Sequence, residues 1–227
     1  MCDFDYFCGR FSFFAMKRIL FTFVVLLFVV DGAMAQIPVG RTDRVTLFDA
    51  FVPAVIELKS GMVNRQAQAN IFLKNSSLVY KRNGVDMAAS MDLVKEVFMN
   101  ARRFVNVNNQ LLEVLDTCGN VALTRLHLID VEAFEGEYLN NSDITNISLR
   151  ENFSVTRLDP SDGSQSYPVT DTYFYLVNGK KVKCHEREVQ LAVAKKSRAE
   201  YEACIKGFGF SWADIDDLKK VLRILAK

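Results

Sequence analysis

The chain has 227 residues, of which 50% are apolar, and its 28 basic residues almost balance its 27 acidic ones. This composition is typical of a globular protein, because a disordered chain has few apolar residues and a high net charge. The balanced charge also argues against a nucleic-acid-binding protein, which carries an excess of Lys and Arg for the phosphates.

The N-terminal region has the pattern of an export signal. The basic pair Lys17-Arg18 precedes an apolar run from Ile19 to Val30, and the small-x-small triplet Ala33-Met34-Ala35 follows. This pattern predicts a signal peptide that is cleaved after Ala35, since the apolar run is shorter than the roughly 20 residues that a membrane-spanning helix needs. We therefore expect residues 1–35 to be removed, with Met16 as the true translation start, and no transmembrane segment in the mature chain.

Three cysteines remain after the predicted cleavage: Cys118, Cys184 and Cys204. In an oxidising compartment three thiols permit one disulfide at most. Cys184 and Cys204 are the pair that we consider, because both lie in the C-terminal part of the chain. The alternative is that all three are small apolar residues of the core, and the sequence leaves their disulfide status open.

Residues 51–129 consist of short apolar runs separated by turn-forming residues. The most specific signal is Asn83-Gly84, because both central positions of a type I′ hairpin turn need positive φ angles. Strands that recur at this spacing indicate an all-β unit and not alternating βαβ units. The predicted strands are 51–58, 62–73, 77–82, 85–88, 94–99, 103–107, 110–115 and 121–129.

The remaining chain consists of two parts that differ in composition. Residues 130–168 begin with acidic residues and have no regular apolar pattern, and we predict a long irregular segment with strands at 144–149 and 153–158. In the C-terminal part, Asn178-Gly179 is a second hairpin turn between strands 171–177 and 180–184. We then expect helix at 186–194, a helix from the capping box at Ser197 to Lys206, and a last helix from Ser211 with an apolar stripe of Ile215, Leu218, Leu222 and Leu225.

These elements predict an α+β fold. An antiparallel β-meander is followed by a β-hairpin and two or three short C-terminal helices, and the periodicity does not decide whether the meander is an open sheet or a partial barrel. We predict a β-rich domain at residues 36–168. Residues 169–227 form the hairpin and helices, packed on the sheet or appended to it.

The whole pattern resembles uncharacterised envelope proteins of the Bacteroidota type that carry a signal peptide. The residues that carry the resemblance are FVPAVIELKSGMV, SLVYKRNG, KEVFMNARRFVNV, TYFYLVNGKKVKC and SWADIDDLKKVLRILAK. The resemblance implies a β-sheet body and an exported protein that is periplasmic, associated with the outer membrane or extracellular. It implies no activity.

Few residues have the spacing of a catalytic or metal site. The sequence has no zinc-ligand pattern, no nucleophile elbow and no phosphate-binding glycine loop. The residues that we considered are the adjacent ligand types Cys184-His185-Glu186, a thiol–imidazole pair of Cys118 with His127, and carboxylates at Glu135, Glu137, Asp214, Asp216 and Asp217. Each has a structural alternative, and we predict no catalytic residue, no metal ligand and no cofactor.

Two surface features indicate binding. Eight basic residues against four acidic ones at 178–206 lie beside Tyr173, Phe174 and Tyr175, a combination that suits an anionic glycan or lipid headgroup. Exposed edges of the meander suit strand addition by a partner. We therefore predict an exported, non-enzymatic binding or structural module that acts through its sheet surface or edge, with another envelope protein or a glycan as partner. The alternative is a hydrolase with an irregular carboxylate site in residues 130–168.

Overall fold

Short polar turns between apolar runs fold most of the chain into one antiparallel sheet. The structure is a computed structural model and describes residues 40–141 and 166–227, without the side chains of 138–141. The predicted signal peptide and the predicted strands at 144–149 and 153–158 lie outside the described residues. The strands are β1 (Gly40–Thr42), β2 (Val52–Leu58), β3 (Val63–Phe72), β4 (Ser77–Arg82), β5 (Val85–Ala88), β6 (Val94–Met99), β7 (Arg102–Val107), β8 (Gln110–Cys118), β9 (Val121–Ile129), β10 (Tyr167–Val177) and β11 (Lys180–Lys183).

Hairpin turns set the register of this sheet. Asn83-Gly84 and Asn178-Gly179 have positive φ at both positions, as a type I′ turn requires. The strand order is β1-β10-β9-β8-β7-β6-β2-β3-β4-β5, and β11 pairs with β10 beside β1. The predicted antiparallel meander is thus confirmed, and the boundary predicted between residues 168 and 169 falls within β10.

The sheet curls but does not close. The turn after β3 reaches β8 and β9, where Ile129 N donates to Leu73 O at 3.0 Å and Leu111 N donates to Ser76 O at 2.9 Å. No continuous ladder joins these strands in the described residues, so the open sheet is the correct one of the two predicted alternatives. The curl gives the sheet an inner face, which carries an apolar core that includes Ile56, Val97 and Phe104.

The described part of the chain contains four α-helices. They are α1 (Val131–Asn141), α2 (Glu186–Ala192), α3 (Arg198–Ile205) and α4 (Ile215–Leu225), with a 3₁₀ turn at Lys195–Ser197. Sequence reasoning missed α1, although Asp130 caps it by accepting from Ala133 N at 2.9 Å. No described helix is both long and apolar enough to cross a membrane.

The C-terminal helices pack on the inner face of β9 and β10. The apolar stripe of α4 is docked, with Leu218 and Leu222 buried against Leu123 and Tyr175. The predicted start of this helix at Ser211 is wrong by one turn, because Asp214 is the N-cap and accepts from the amides of residues 216 and 217. Ser197 precedes α3 but makes no side-chain capping bond, since it already belongs to the 3₁₀ turn.

The turn between β6 and β7 stores backbone strain. Asn100 and Ala101 have φ of 48° and 57°, and an alanine in the left-handed region costs about 1–2 kcal/mol. We expect Ala101→Gly to raise the free energy of unfolding by about 0.5–1 kcal/mol, after the entropy of the added glycine is subtracted. Thermal melting checks this, with the exposed helical Ala203→Gly as control, which should lower stability by about 1 kcal/mol. A melting temperature of Ala101→Gly at or below that of the wild type would contradict the prediction.

Candidate functional site

A groove of about 850 Å³ on the outer face of the sheet is the candidate site. Its floor is formed by side chains of three successive strands, Phe72 on β3, Val79 on β4 and Ala88 on β5. The segment 43–51, which precedes β2, forms one wall of the groove. The volume lies in the range of ligand sites, about 300–1,000 Å³.

The wall of the groove is fixed by one buried amide side chain. Asn70 on β3 is only 1% exposed. Its Oδ1 accepts from Phe48 N at 3.1 Å and from Ile71 N at 2.9 Å, and its Nδ2 donates to Phe48 O at 2.9 Å and to Ala50 O at 3.2 Å. The ladder along this edge of β3 is interrupted between the Thr46↔Phe72 bridge and the Val52↔Ala69 pair. The asparagine replaces the missing ladder bonds and holds the segment 46–50 in place.

Carboxylates project from the rim of the groove, whereas its cations lie lower. The side chains of Asp43, Asp49 and Asp86 are 63–83% exposed, but those of Arg44 and Lys81 are 35–44% exposed. Arg44 pairs with Asp43 and Asp49, and Lys81 Nζ lies 3.6 Å from Asp86 Oδ1. Lys81 Nζ also lies 4.8 Å from the centre of the Phe51 ring, a cation–π contact. The most exposed charges of the groove are therefore acidic.

The strand at one edge of the sheet borders the groove. β5 is the last strand in the sheet order, and all four of its residues are exposed. Asp86 and Ala88 contribute their side chains to the groove, whereas Val85 and Met87 are apolar side chains exposed on the other face of the strand. The predicted exposed edge of the meander is therefore present at β5.

A second polar cluster lies on the inner face, between apolar cores. Arg125 on β9 binds Glu113 Oε2 through Nη2 at 2.6 Å and reaches Asp171 Oδ2 at 3.4 Å. His127 Nδ1 lies 2.5 Å from Asp171 Oδ1. Burial opposes the charge of Arg125, but the two carboxylates outweigh that effect and raise its pKa.

The inner cluster has little room for a substrate. Glu113, Arg125 and His127 line a cavity of about 10 Å³ together with apolar residues such as Phe104 and Leu111. That volume corresponds to about one water molecule. The cluster is therefore an ion network that joins β8, β9 and β10, beside a cavity of about the size of one water molecule.

The structure separates the considered thiol–imidazole pair. Cys118 pairs with Val121 at the turn between β8 and β9, and His127 lies six residues further along β9. A strand rises about 3.3 Å per residue, so the two side chains are about 20 Å apart. Cys118 instead packs against the C-terminal apolar cluster as a small apolar residue.

The Cys184-His185-Glu186 cluster does not converge either. Cys184 is buried and burial raises the pKa of its thiol, whereas His185 is the N-cap of α2 and Glu186 is exposed. Within residues 40–141 and 166–227, no group of three or more possible ligands could hold a metal ion. Cys118, Cys184 and Cys204 are all free thiols, although all three belong to the same C-terminal apolar cluster.

Four of the five carboxylates considered as catalytic have structural partners among the described residues, and the exception is Glu135. Glu137 and Glu135 lie on α1 and not on a strand, and Glu137 binds Arg41 at 2.9 and 3.0 Å. Asp214 caps α4, whereas Asp216 and Asp217 pair with lysines one turn later. The contact with Lys220 lowers the pKa of Asp217 most, and the backbone amide of Ser211 lowers it further.

The aromatic and basic residues of the C-terminal hairpin do not form one surface. Tyr175 is buried and its hydroxyl donates to Leu218 O at 2.8 Å. Its neighbour Phe174 points to the other face, where Lys181 Nζ lies 4.6 Å from the ring centre. Lys206 pairs with Glu202 at 3.4 Å. Buried Tyr175 is thus not available to the predicted anionic-ligand patch, whereas Phe174 and Lys181 lie together on the other face.

Comparison with known proteins found no matching family model, no matching curated protein and no matching solved structure. Sequence reasoning predicted that the meander has exposed edges, without naming the edge strand, and it missed the groove. The groove depends on contacts of Asn70 with residues 20 and 22 positions earlier, and no local pattern reports such a contact. An asparagine between apolar residues of a strand, at Ala69-Asn70-Ile71, was the one signal that could have drawn attention to it.

Proposed function

We propose that the protein is an exported, non-enzymatic binding module of a bacterial envelope, and that its working surface is the groove on the outer face of β3, β4 and β5. The observation that carries the proposal is the groove itself. It is open, has the volume of a ligand site and combines an apolar floor with a charged rim. The export pattern of residues 17–35 and the resemblance to Bacteroidota envelope proteins support the proposed location.

Binding suits the chemistry of the groove better than catalysis does. Its lining residues include neither histidine nor cysteine, and its cations are paired with its own carboxylates. The described Asp–His contact belongs to the inner ion network. The alternative hydrolase site was placed in residues 130–168, of which 142–165 lie outside the described residues.

The proposal is tested by placing a long charged side chain on the floor of the groove. We expect Val79→Arg to reduce recovery of envelope partners about tenfold when the tagged protein is cross-linked in its source cells and isolated from envelope fractions. The matched control is Leu191→Arg, because Leu191 is 82% exposed on α2. Quantitative mass spectrometry provides the readout for partner proteins, and sugar analysis of the same samples provides it for glycans.

Three results would contradict the proposal. The protein could be found alone and free in the medium, or the same partners could be recovered with Val79→Arg as with the wild type. Val79→Arg and Leu191→Arg could also reduce recovery equally, in which case the groove has no special part in binding. Thermal melting of both variants verifies that they are folded.

A further inference from the structure

Among the residues that the structure describes, β5 pairs with β4 alone, so its other backbone edge is unpaired beside the groove. In the β4–β5 hairpin, Arg82 pairs with Val85 next to the two-residue turn, and Lys81 pairs with Asp86. Hydrogen-bonded and non-hydrogen-bonded pairs alternate in an antiparallel ladder. Ala89 N donates to Leu78 O at 2.9 Å, which fixes the alternation. The N–H and C=O groups of Asp86 and Ala88 therefore point away from β4, to the free side of the strand.

The same two residues connect the free edge to the groove. Their side chains line the groove while their backbone groups point outward from the sheet. A strand that pairs with β5 would continue the sheet, and its side chains on the outer face would lie beside Asp86. An extended polypeptide thus fits both features, since it supplies backbone partners at the edge and side chains at the groove margin.

The charges at this margin select the kind of segment. Asp43, Asp49 and Asp86 project into solvent, whereas Arg44 and Lys81, with which they pair, are less exposed. The three carboxylates outnumber the two cations, so this margin keeps a net negative charge. Basic side chains of a partner would meet these carboxylates, and acidic ones would be repelled. A second copy of this chain paired through β5 would bring two copies of Asp86 and their neighbouring carboxylates close together. The rim therefore favours a basic partner over self-association.

We propose that β5 receives an extended segment with Lys or Arg at alternate positions, which adds to the sheet as a further strand along the groove margin. This inference rests on the proposed function, because it names the class of ligand that the same groove takes. The backbone groups of Asp86 and Ala88 provide the pairing, and the rim carboxylates provide the preference for basic side chains.

The test uses synthetic peptides and the mature protein. The probe is an eight-residue peptide of alternating Lys and Val with blocked ends. It is compared with three peptides. One alternates Glu and Val, and the other two are Lys and Val peptides that are N-methylated on alternate residues, one in each register. Fluorescence polarisation at a fixed salt concentration measures binding, since attraction between exposed charges is screened by salt.

The variants separate the backbone contribution from the side-chain contribution. Ala88→Pro removes an N–H that β4 does not use, so the hairpin keeps its ladder, and Ala88→Ser is the matched control that retains this N–H. Asp86→Lys reverses one rim charge. We expect about tenfold weaker binding of the Lys and Val peptide to Ala88→Pro and to Asp86→Lys, and unchanged binding to Ala88→Ser. The wild type should bind the Glu and Val peptide, and the N-methylated peptide of one register, at least about tenfold more weakly than the unmethylated Lys and Val peptide.

Equal binding to Ala88→Pro and Ala88→Ser, or equal binding of all Lys and Val peptides, would overturn strand addition. If no peptide binds but an envelope oligosaccharide is retained in a manner sensitive to Val79→Arg, the groove is a glycan site. The proposed function then stands and the present inference fails. If neither peptide nor oligosaccharide nor any envelope partner depends on Val79, Asp86 or Ala88, both fail together.

Discussion

Replacing Asn70 by alanine is expected to lower the free energy of unfolding by about 3 kcal/mol. The side chain makes four hydrogen bonds in a buried site, and its removal leaves Phe48 N, Ile71 N and Ala50 O without this partner. Phe48 O keeps only the hydroxyl of Thr46, which donates to it at 3.1 Å. Each buried polar group that loses its partner costs about 1–3 kcal/mol, reduced where water enters the site. The segment 46–50 should detach from β3 and take the wall of the groove with it.

Denaturant unfolding measures the loss, and hydrogen exchange shows where it occurs. The amides of Leu47 and Phe48 should exchange faster in Asn70→Ala, because Leu47 N donates to Ile71 O only while the segment is held on β3. The control is Asn64→Ala on the same strand, since Asn64 is exposed and should change stability by less than about 0.5 kcal/mol. If both variants unfold at the same denaturant concentration, Asn70 does not anchor the wall.

Truncation of Leu222 in α4 is expected to destabilise the protein by about 2–5 kcal/mol. Leu222 is 1% exposed and belongs to the cluster that joins α4 to β9 and β10. Leucine to alanine in such a site loses the transfer free energy of the removed atoms and leaves a cavity. Deleting residues 211–227 should have a larger effect, because it exposes the whole surface that α4 covers on these strands.

Thermal and denaturant unfolding of Leu222→Ala check this prediction, with the exposed neighbour Arg223→Ala as control. The control should stay within about 0.5 kcal/mol of the wild type. An unchanged melting temperature in the variant that lacks residues 211–227 would show that the helix is not docked in solution.

The hairpins could be predicted because their information is local. Asn83-Gly84 and Asn178-Gly179 demand positive φ and thereby fix the pairing of their flanking strands. The turn at Asn100-Ala101 has the same geometry without a glycine, so its type carried no sequence signal. The helix start at Asp214 was placed at Ser211 for a related reason: two residues of good capping type stood three positions apart, and only tertiary packing decides between them.

The candidate site was harder to predict because its parts are distant in the chain. The groove combines segment 43–51 with three strands, and its wall depends on Asn70. The inner ion network likewise joins Glu113, Arg125 and Asp171 from three different strands. Pair contacts of this kind follow from sheet order, and sheet order is not encoded in the periodicity of single strands.

The pairing of β1 with β10 has a consequence for the order of folding. Strands β2 to β9 pair mostly with close neighbours in the chain, whereas Arg41 beside Ser166 joins residues 125 positions apart. The entropic cost of closing so long a loop delays such contacts. We therefore expect the central meander to form first during folding, and β1 to remain unpaired until residues 167–169 of β10 are in place.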